Sequence, residues 1–408
     1  MRKINTNDFR IATRTTSRDI NRRIALNLIR EHQPISRADL ARRMNIGRGV
    51  VSVLVGELIA EGLIDETGTG EGARGRRPTF LCVRTEDRTV IAVDIRLSQT
   101  YIVLTDFGGR QIALESVATL LDPDKLMKEL GLRILRLLET HKAASMCKGI
   151  GIAVPGIVDR ETGRIVNAPT LNWRNVTLRD PLSAVIGLPV NIENAARACA
   201  LAQMWLGATG NPAPASFLYV SVSDGVGVGV VLNGELMRGH DDMAGEFGHA
   251  PLNIDGPPCM CGANGCWEAY TSNLATLSRY FGRDLFKIDP RSLLETGWNG
   301  FKVEDVIARA RAGDSKAMGA IQATARYLGL GLATLINGLN PECVYIGGEI
   351  TTGWDMLEKT VRTALAQRAL TEAANKTQIR VAEPVGHQRL RGAAALVTAP
   401  TFAAPRVA

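Results

Sequence analysis

Residues His249 to Glu268, HAPLNIDGPPCMCGANGCWE, place one imidazole and three thiols within eighteen residues, from His249 to Cys266. Between His249, Cys259, Cys261 and Cys266 lie glycines and prolines, which let the backbone fold tightly about a single point. Cys3His is the donor set of a closed tetrahedral zinc site, structural rather than hydrolytic. The spacing is not that of a zinc finger, whose histidines come as a pair. A disulfide is the alternative, and it would strand an odd thiol in a chain with no secretory signature.

Immediately upstream, Glu246-Phe247-Gly248-His249 makes the first ligand the end of an E-x-G-H. With the C-x-C-G-x-x-G-C-x-E that follows, the segment resembles the ROK family of sugar kinases and sugar-responsive repressors, and the resemblance runs over roughly residues 88 to 400. It implies a two-lobed actin-like body with a sugar in the interlobe cleft. It also implies that Glu246, His249 and Glu268 hold sugar hydroxyls. The chemistry is consistent: carboxylates accept from vicinal hydroxyls, and an imidazole with one nitrogen on a metal presents the other as a donor. Asn194 and Asn167 are further candidates for hydroxyl contacts.

A kinase of this family carries D-x-G-G-T, G-T-G-x-G and E-N-D-A segments. Here the first reads Asp94-Ile95-Arg96-Leu97-Ser98, so bulky residues stand where glycines would admit phosphate. The second reads Ser223-Asp224-Gly225-Val226-Gly227, with a carboxylate where phosphate would lie. The third is Glu193-Asn194-Ala195-Ala196, and Ala195 has no atom that could take a proton. Glu193 should point away from the cleft, since neighbouring side chains on a strand alternate. Glu349, after Gly347-Gly348, adds a charge in the expected adenosine loop. No catalytic residue is assigned.

The charge is uneven. Residues 1–85 hold 16 Lys and Arg against 9 Asp and Glu, and the remaining residues hold 32 of each sign, so the whole net charge of +7 lies in the first fifth of the chain. A basic module on a neutral body points to a polyanion, most commonly nucleic acid. Ile20, Ile24, Leu28 and Ile29 set a helical period over 18–32. Ser36 caps a short helix, Arg37 to Met44, and Asn45-Ile46-Gly47 breaks it. Val50, Val51, Leu54, Val55, Leu58 and Ile59 then mark a third helix ending at Gly62. Strands at Leu63-Ile64-Asp65 and Thr79–Val83 enclose a glycine-rich wing. This order resembles the winged helix-turn-helix ahead of ROK repressors. Arg48 and Ser52 are expected at base edges, and Arg74, Arg76 and Arg77 at phosphates or a narrow minor groove. A small protein-docking domain is the bland alternative.

The fold expected is therefore α/β: a flexible tail (1–16), a winged helix-turn-helix (17–85) and a two-lobed actin-like sugar-binding body (88–408), without an internal repeat in the sequence. Cys82, Cys147, Cys199 and Cys343 are scattered and read as buried apolar residues in a reducing compartment. No apolar span or signal peptide is seen, so a cytoplasmic protein with no membrane contact is expected. The functional expectation is a sugar-gated repressor that binds double-stranded operator DNA as a homodimer or dimer of dimers, with structural zinc. An active sugar kinase and a repressor gated by a protein partner are the competing readings. Tyr327 to Asn337, almost wholly apolar, is either core or a subunit contact.

Overall fold

The computed structural model describes residues 14–69, 79–206, 213–288, 301–382 and 387–403. The N-terminal module consists of helices Arg14–His32, Arg37–Met44 and Arg48–Ala60 with a three-stranded antiparallel sheet. In that sheet Thr79–Val83 lies between Ile35–Ser36 and Ile64–Thr69. Ser36 caps the second helix by accepting from the Asp39 amide at 3.1 Å, and Asn45 ends it in the left-handed region with φ 51°.

Three expectations need correction here. The first helix begins at Arg14, so the last residues of the expected tail are helical. Its buried face is Ala25, Leu26 and Ile29, whereas Ile24 is 44% exposed. Periodicity gives the width of an apolar stripe, but the third helix and the C-terminus select which side of it is covered. Val50, expected in the core, is 50% exposed, while Val51, Leu54, Val55 and Leu58 are buried.

The body has two five-stranded sheets. In chain order the first contains Thr89–Ile95, Gln99–Asp106, Gln111–Ala118, Cys147–Val154 and Val190–Asn194. The second contains Phe217–Val222, Val226–Leu232, Glu235–Leu236, Cys343–Gly347 and Gln378–Val381. Both run third, second, first, fourth, fifth across the sheet, with the first three antiparallel and the last two parallel to the first. The duplication that the sequence does not display is thus present in the topology. Helix Pro123–Thr140 covers the first sheet through Leu126, Leu130, Ile134 and Leu137. Helix Ser315–Leu339 covers the second, and Leu328, Leu332, Leu335 and Ile336 are all buried there, so Tyr327 to Asn337 is core.

The C-terminal helix Gln388–Phe402 lies between strand Cys147–Val154 and helix Ala195–Leu206. Glycine is required on both sides of it: a Cβ at Gly151 would sit 1.8 Å from the Ala393 carbonyl oxygen, and one at Gly392 2.0 Å from that of Ala198. At its end, Arg23 donates to the Pro400 carbonyl at 2.6 Å and Asn27 to that of Phe402 at 2.8 Å. The Arg30 guanidinium lies over the rings of Trp205 and Phe402. One buried cluster runs from Leu26 and Ile29 through Phe107 and Phe402 to Leu390 and Ala393, so the N-terminal module is packed onto the first lobe. No described helix is long and apolar enough to cross a membrane.

Candidate sugar cleft, metal cluster and DNA-reading helix

A cavity of about 780 Å³, its mouth included, opens between the lobes and is lined by Asn194, Ala195, Glu246, His249 and Glu268 with residues of both degraded kinase loops. Glu246 and His249 stand on a one-turn 3-10 helix. Gly248 lets that turn lie against strand Val226–Leu232, because a Cβ there would meet the Val226 carbonyl oxygen at 1.9 Å. Burial pushes the Glu246 carboxyl up, against the opposing pull of His249 and Arg197. Glu268 spends Oε2 on the Val226 amide at 2.8 Å, and its Oε1 takes the Cys259 thiol at 3.5 Å.

The two asparagines fare differently. Asn194 Oδ1 accepts the amides of Ala196 and Arg197, capping helix Ala195–Leu206, and its Nδ2 donates to the Gly156 carbonyl. One N–H is left for a ligand. Asn167 pairs within strand Arg164–Ala168 and is not among the cavity-lining residues. The cavity is reached instead by Thr170, three residues on, whose buried hydroxyl has no hydrogen-bond partner among the described residues. The sequence signalled the right loop but the wrong member of it.

His249, Cys259, Cys261 and Cys266 converge, with their ligand atoms within 4.8 Å of one another. Cys261 and Cys266 Sγ are 3.7 Å apart, and Cys259 Sγ is 3.6 Å from His249 Nδ1. Ligands at tetrahedral zinc distances stand roughly 3.5–3.8 Å from one another, so the donor set fits a closed metal site. Burial and the Glu268 carboxylate push the Cys259 thiol up, and burial and Cys261 push Cys266 up to about 11, a cost of ionisation that a cation offsets. With Nδ1 on the cluster, His249 Nε2 faces Glu246 Oε2 at 3.9 Å and the cavity.

The other half of the cleft has closed on itself. Asp94, fully buried, pairs with Arg96 at 2.7 Å and with Arg389 of the C-terminal helix at 2.9 Å. Arg96 also reaches across the cleft to Glu349 at 2.8 Å, whose other oxygen takes the Asn273 amide at 3.0 Å. Burial works against the Arg96 charge, but Asp94 and Glu349 outweigh it and hold the guanidinium above its ordinary value. Asp224 is pushed up to about 6 by burial and by Glu349. Ala195 presents only a methyl group. Glu193 does not line the cavity: it is buried in ion pairs with Arg197, at 3.0 Å, and Arg238.

On the third helix Arg48 and Ser52 are both exposed, and the Ser52 hydroxyl donates back to the Arg48 carbonyl at 3.0 Å. Arg74, Arg76 and Arg77 lie outside the described residues.

A family model described as ROK family matches residues 90–399, and one described as MarR family matches residues 20–75. A putative xylose repressor from Caldicellulosiruptor sp. (strain Rt8B.4) is 33% identical over 404 residues, covering 95% of this chain and 98% of its own length. The crystal structure of a ROK family transcriptional regulator, a homolog of the E. coli MLC protein, matches with TM-score 0.77 at 27% identity, over 95% of this chain and 97% of that one. A ROK family glucokinase from Streptomyces griseus, in complex with glucose and AMPPNP, matches with TM-score 0.66 at 27% identity. That match takes in 98% of the glucokinase but 76% of this chain, so the enzyme has no counterpart to the remainder. Fold, motifs and similarity agree: the chain belongs to the ROK family, with a MarR-type winged helix-turn-helix joined ahead of the ROK body.

Proposed function

We propose that this protein is a sugar-responsive transcriptional repressor that has no kinase activity and binds operator DNA as a homodimer. The observation that carries the reading is the C-terminal helix. Arg389 at its start lines the cavity and holds Asp94, and the carbonyls of its last turn hold the first helix of the DNA-binding module. Fifteen residues of helix make a rod roughly 22 Å long. A ligand that draws the lobes together has a direct mechanical route to the module. Lobe closure alters how two such modules are spaced, and with it their fit to a two-fold operator.

In this reading Glu246, His249 and Thr170 hold the hydroxyls of a neutral monosaccharide, with Asn194 and Glu268 each offering what their structural bonds leave. Xylose is the first sugar to test, given the name of the related repressor. Zinc would be held by His249, Cys259, Cys261 and Cys266. When bound it fixes the imidazole with Nε2 as the donor toward the sugar. Without a base at Ala195, and with Glu193 held by two arginines, nothing described in the cleft is placed to take a proton from a sugar hydroxyl.

Calorimetric titration of the full chain with xylose, glucose and other pentoses and hexoses tests this. One sugar should bind saturably and change affinity for operator DNA. Sugar-dependent ADP release above a heat-killed control would overturn the reading in favour of a kinase. Cys261→Ser should lose metal, measured by elemental analysis, and sugar affinity together. Undiminished sugar affinity in the metal-free protein would break that link.

A further inference from the structure

The exposed face of helix Arg48–Ala60 is formed by Arg48, Gly49, Val50, Ser52, Val53 and Gly56. Val50 is 50% exposed and Val53 55%, although the buried stripe of the same helix already holds four large apolar residues. The two valines are three residues apart and so are neighbours on one face. No acidic residue lies on that face. Glu57, the one acidic side chain of the helix, is turned aside into an ion pair with Arg18. The glycines on either side meet nothing: a Cβ at Gly49 or Gly56 would have no atom within 4 Å. Arg42 and Arg43, both exposed, close the preceding helix beside it.

This is an apolar surface with small residues at its margins, framed by cations and free of anions. A protein partner would be matched by the valines alone, whereas the cationic frame and the module's excess of positive charge are complementary to a polyanion. In the major groove of DNA the one apolar feature of a base edge is the C5-methyl group of thymine. We infer that Val50 and Val53 read thymine methyl groups, and that Gly49 and Gly56 let the helix backbone approach the base edges closely enough for them to do so. Arg48 and Ser52 then supply polar contacts alongside, and each half-site should carry thymine opposite the valines. The inference rests on the DNA-binding reading and adds to it which chemical group of the duplex is recognised.

The test uses the full-length protein and a random duplex library. An enriched duplex is resynthesised with dU replacing dT at one position at a time, which removes only the methyl group. Fluorescence anisotropy should show about 3- to 10-fold weaker binding for one or two positions per half-site. Val50→Ala and Val53→Ala should each weaken binding to the dT duplex and erase the dU penalty at one position. Neither should change the slope of log affinity against log salt, because no phosphate contact is altered. Equal binding of every dU duplex and its dT parent overturns the inference, and that arm needs no variant. A methyl penalty that survives in both valine variants also overturns it. So does a change in oligomeric state in the variants with equal loss on dT and dU duplexes, which would assign the face to a second copy of the chain. Failure to enrich any duplex would instead sink the DNA-binding reading itself, and the inference with it.

Discussion

The two halves of the interlobe cleft are built from the same kinds of polar residue, yet they use them in opposite ways. On the metal side, Glu246, His249 and the unpartnered Thr170 hydroxyl face open space. On the side where a kinase would hold phosphate, Asp94, Arg96, Arg389, Glu349 and Asn273 face one another. A site for a neutral ligand keeps donors and acceptors that water can serve until the ligand arrives. Charges drawn into a half-buried crevice without a phosphate must neutralise each other or leave it. The altered loop is therefore no vacancy: a guanidinium has moved in and joined the lobes.

The contrast is sharpest if each half can be damaged alone. Arg96→Ala removes a partner from Asp94 and from Glu349 at once, and breaking such a buried pair should lower stability by about 3 kcal/mol. Urea unfolding measures this, and sugar affinity should change much less. Wild-type stability in the variant would mean that the bridge is screened by water and that the two halves do not differ as described.

Glu246→Gln should do the reverse. It keeps the shape of the side chain and removes the charge, so a sugar contact worth about 1.5–3 kcal/mol should be lost, roughly a 10- to 100-fold fall in affinity. The urea midpoint should hardly move, since Glu246 makes no short ion pair among the described residues. Calorimetry with whichever sugar binds the parent protein supplies the measurement. Unchanged affinity would remove Glu246 from the ligand contacts.

The difference between the halves also governs what could be read from sequence. The metal cluster was legible because its four ligands lie in eighteen consecutive residues and need only a tight loop to meet. The loss of phosphate-binding glycines was legible for the same local reason. What replaced them was not. Arg389 and Glu349 come some 250 to 300 residues after Asp94, and no pattern near any of the three announces that they meet. Asn167 was misjudged because a strand fixes which side chain faces the cavity, and the loop after it delivers Thr170 instead. Ile24 and Val50 were placed in the core because period alone marks apolar positions and leaves open which neighbours cover them. The two-fold repeat of sheet order escaped for a related reason. Buried strands need only be apolar, so two copies of one topology can share no recognisable sequence.

The smallest expected effect tests whether the phosphate side is as rich in negative charge as its geometry indicates. Burial and Glu349 push Asp224 up to about 6, from an ordinary value just below 4. Between those values the native protein holds the proton more tightly than the unfolded chain does. Stability from this group therefore falls as pH rises from about 4 to about 6, and is flat above that. Asparagine never takes up the charge. Asp224→Asn should match the parent below pH ~4 and gain on it through that window, reaching an advantage on the order of 1 kcal/mol at neutral pH. Urea midpoints measured for both proteins from pH ~4 to ~7.5 give the comparison. An advantage equal at every pH would show that Asp224 does not change its charge in this window. Glu349 would then be fully neutralised by Arg96, and the phosphate side would hold no surplus of negative charge.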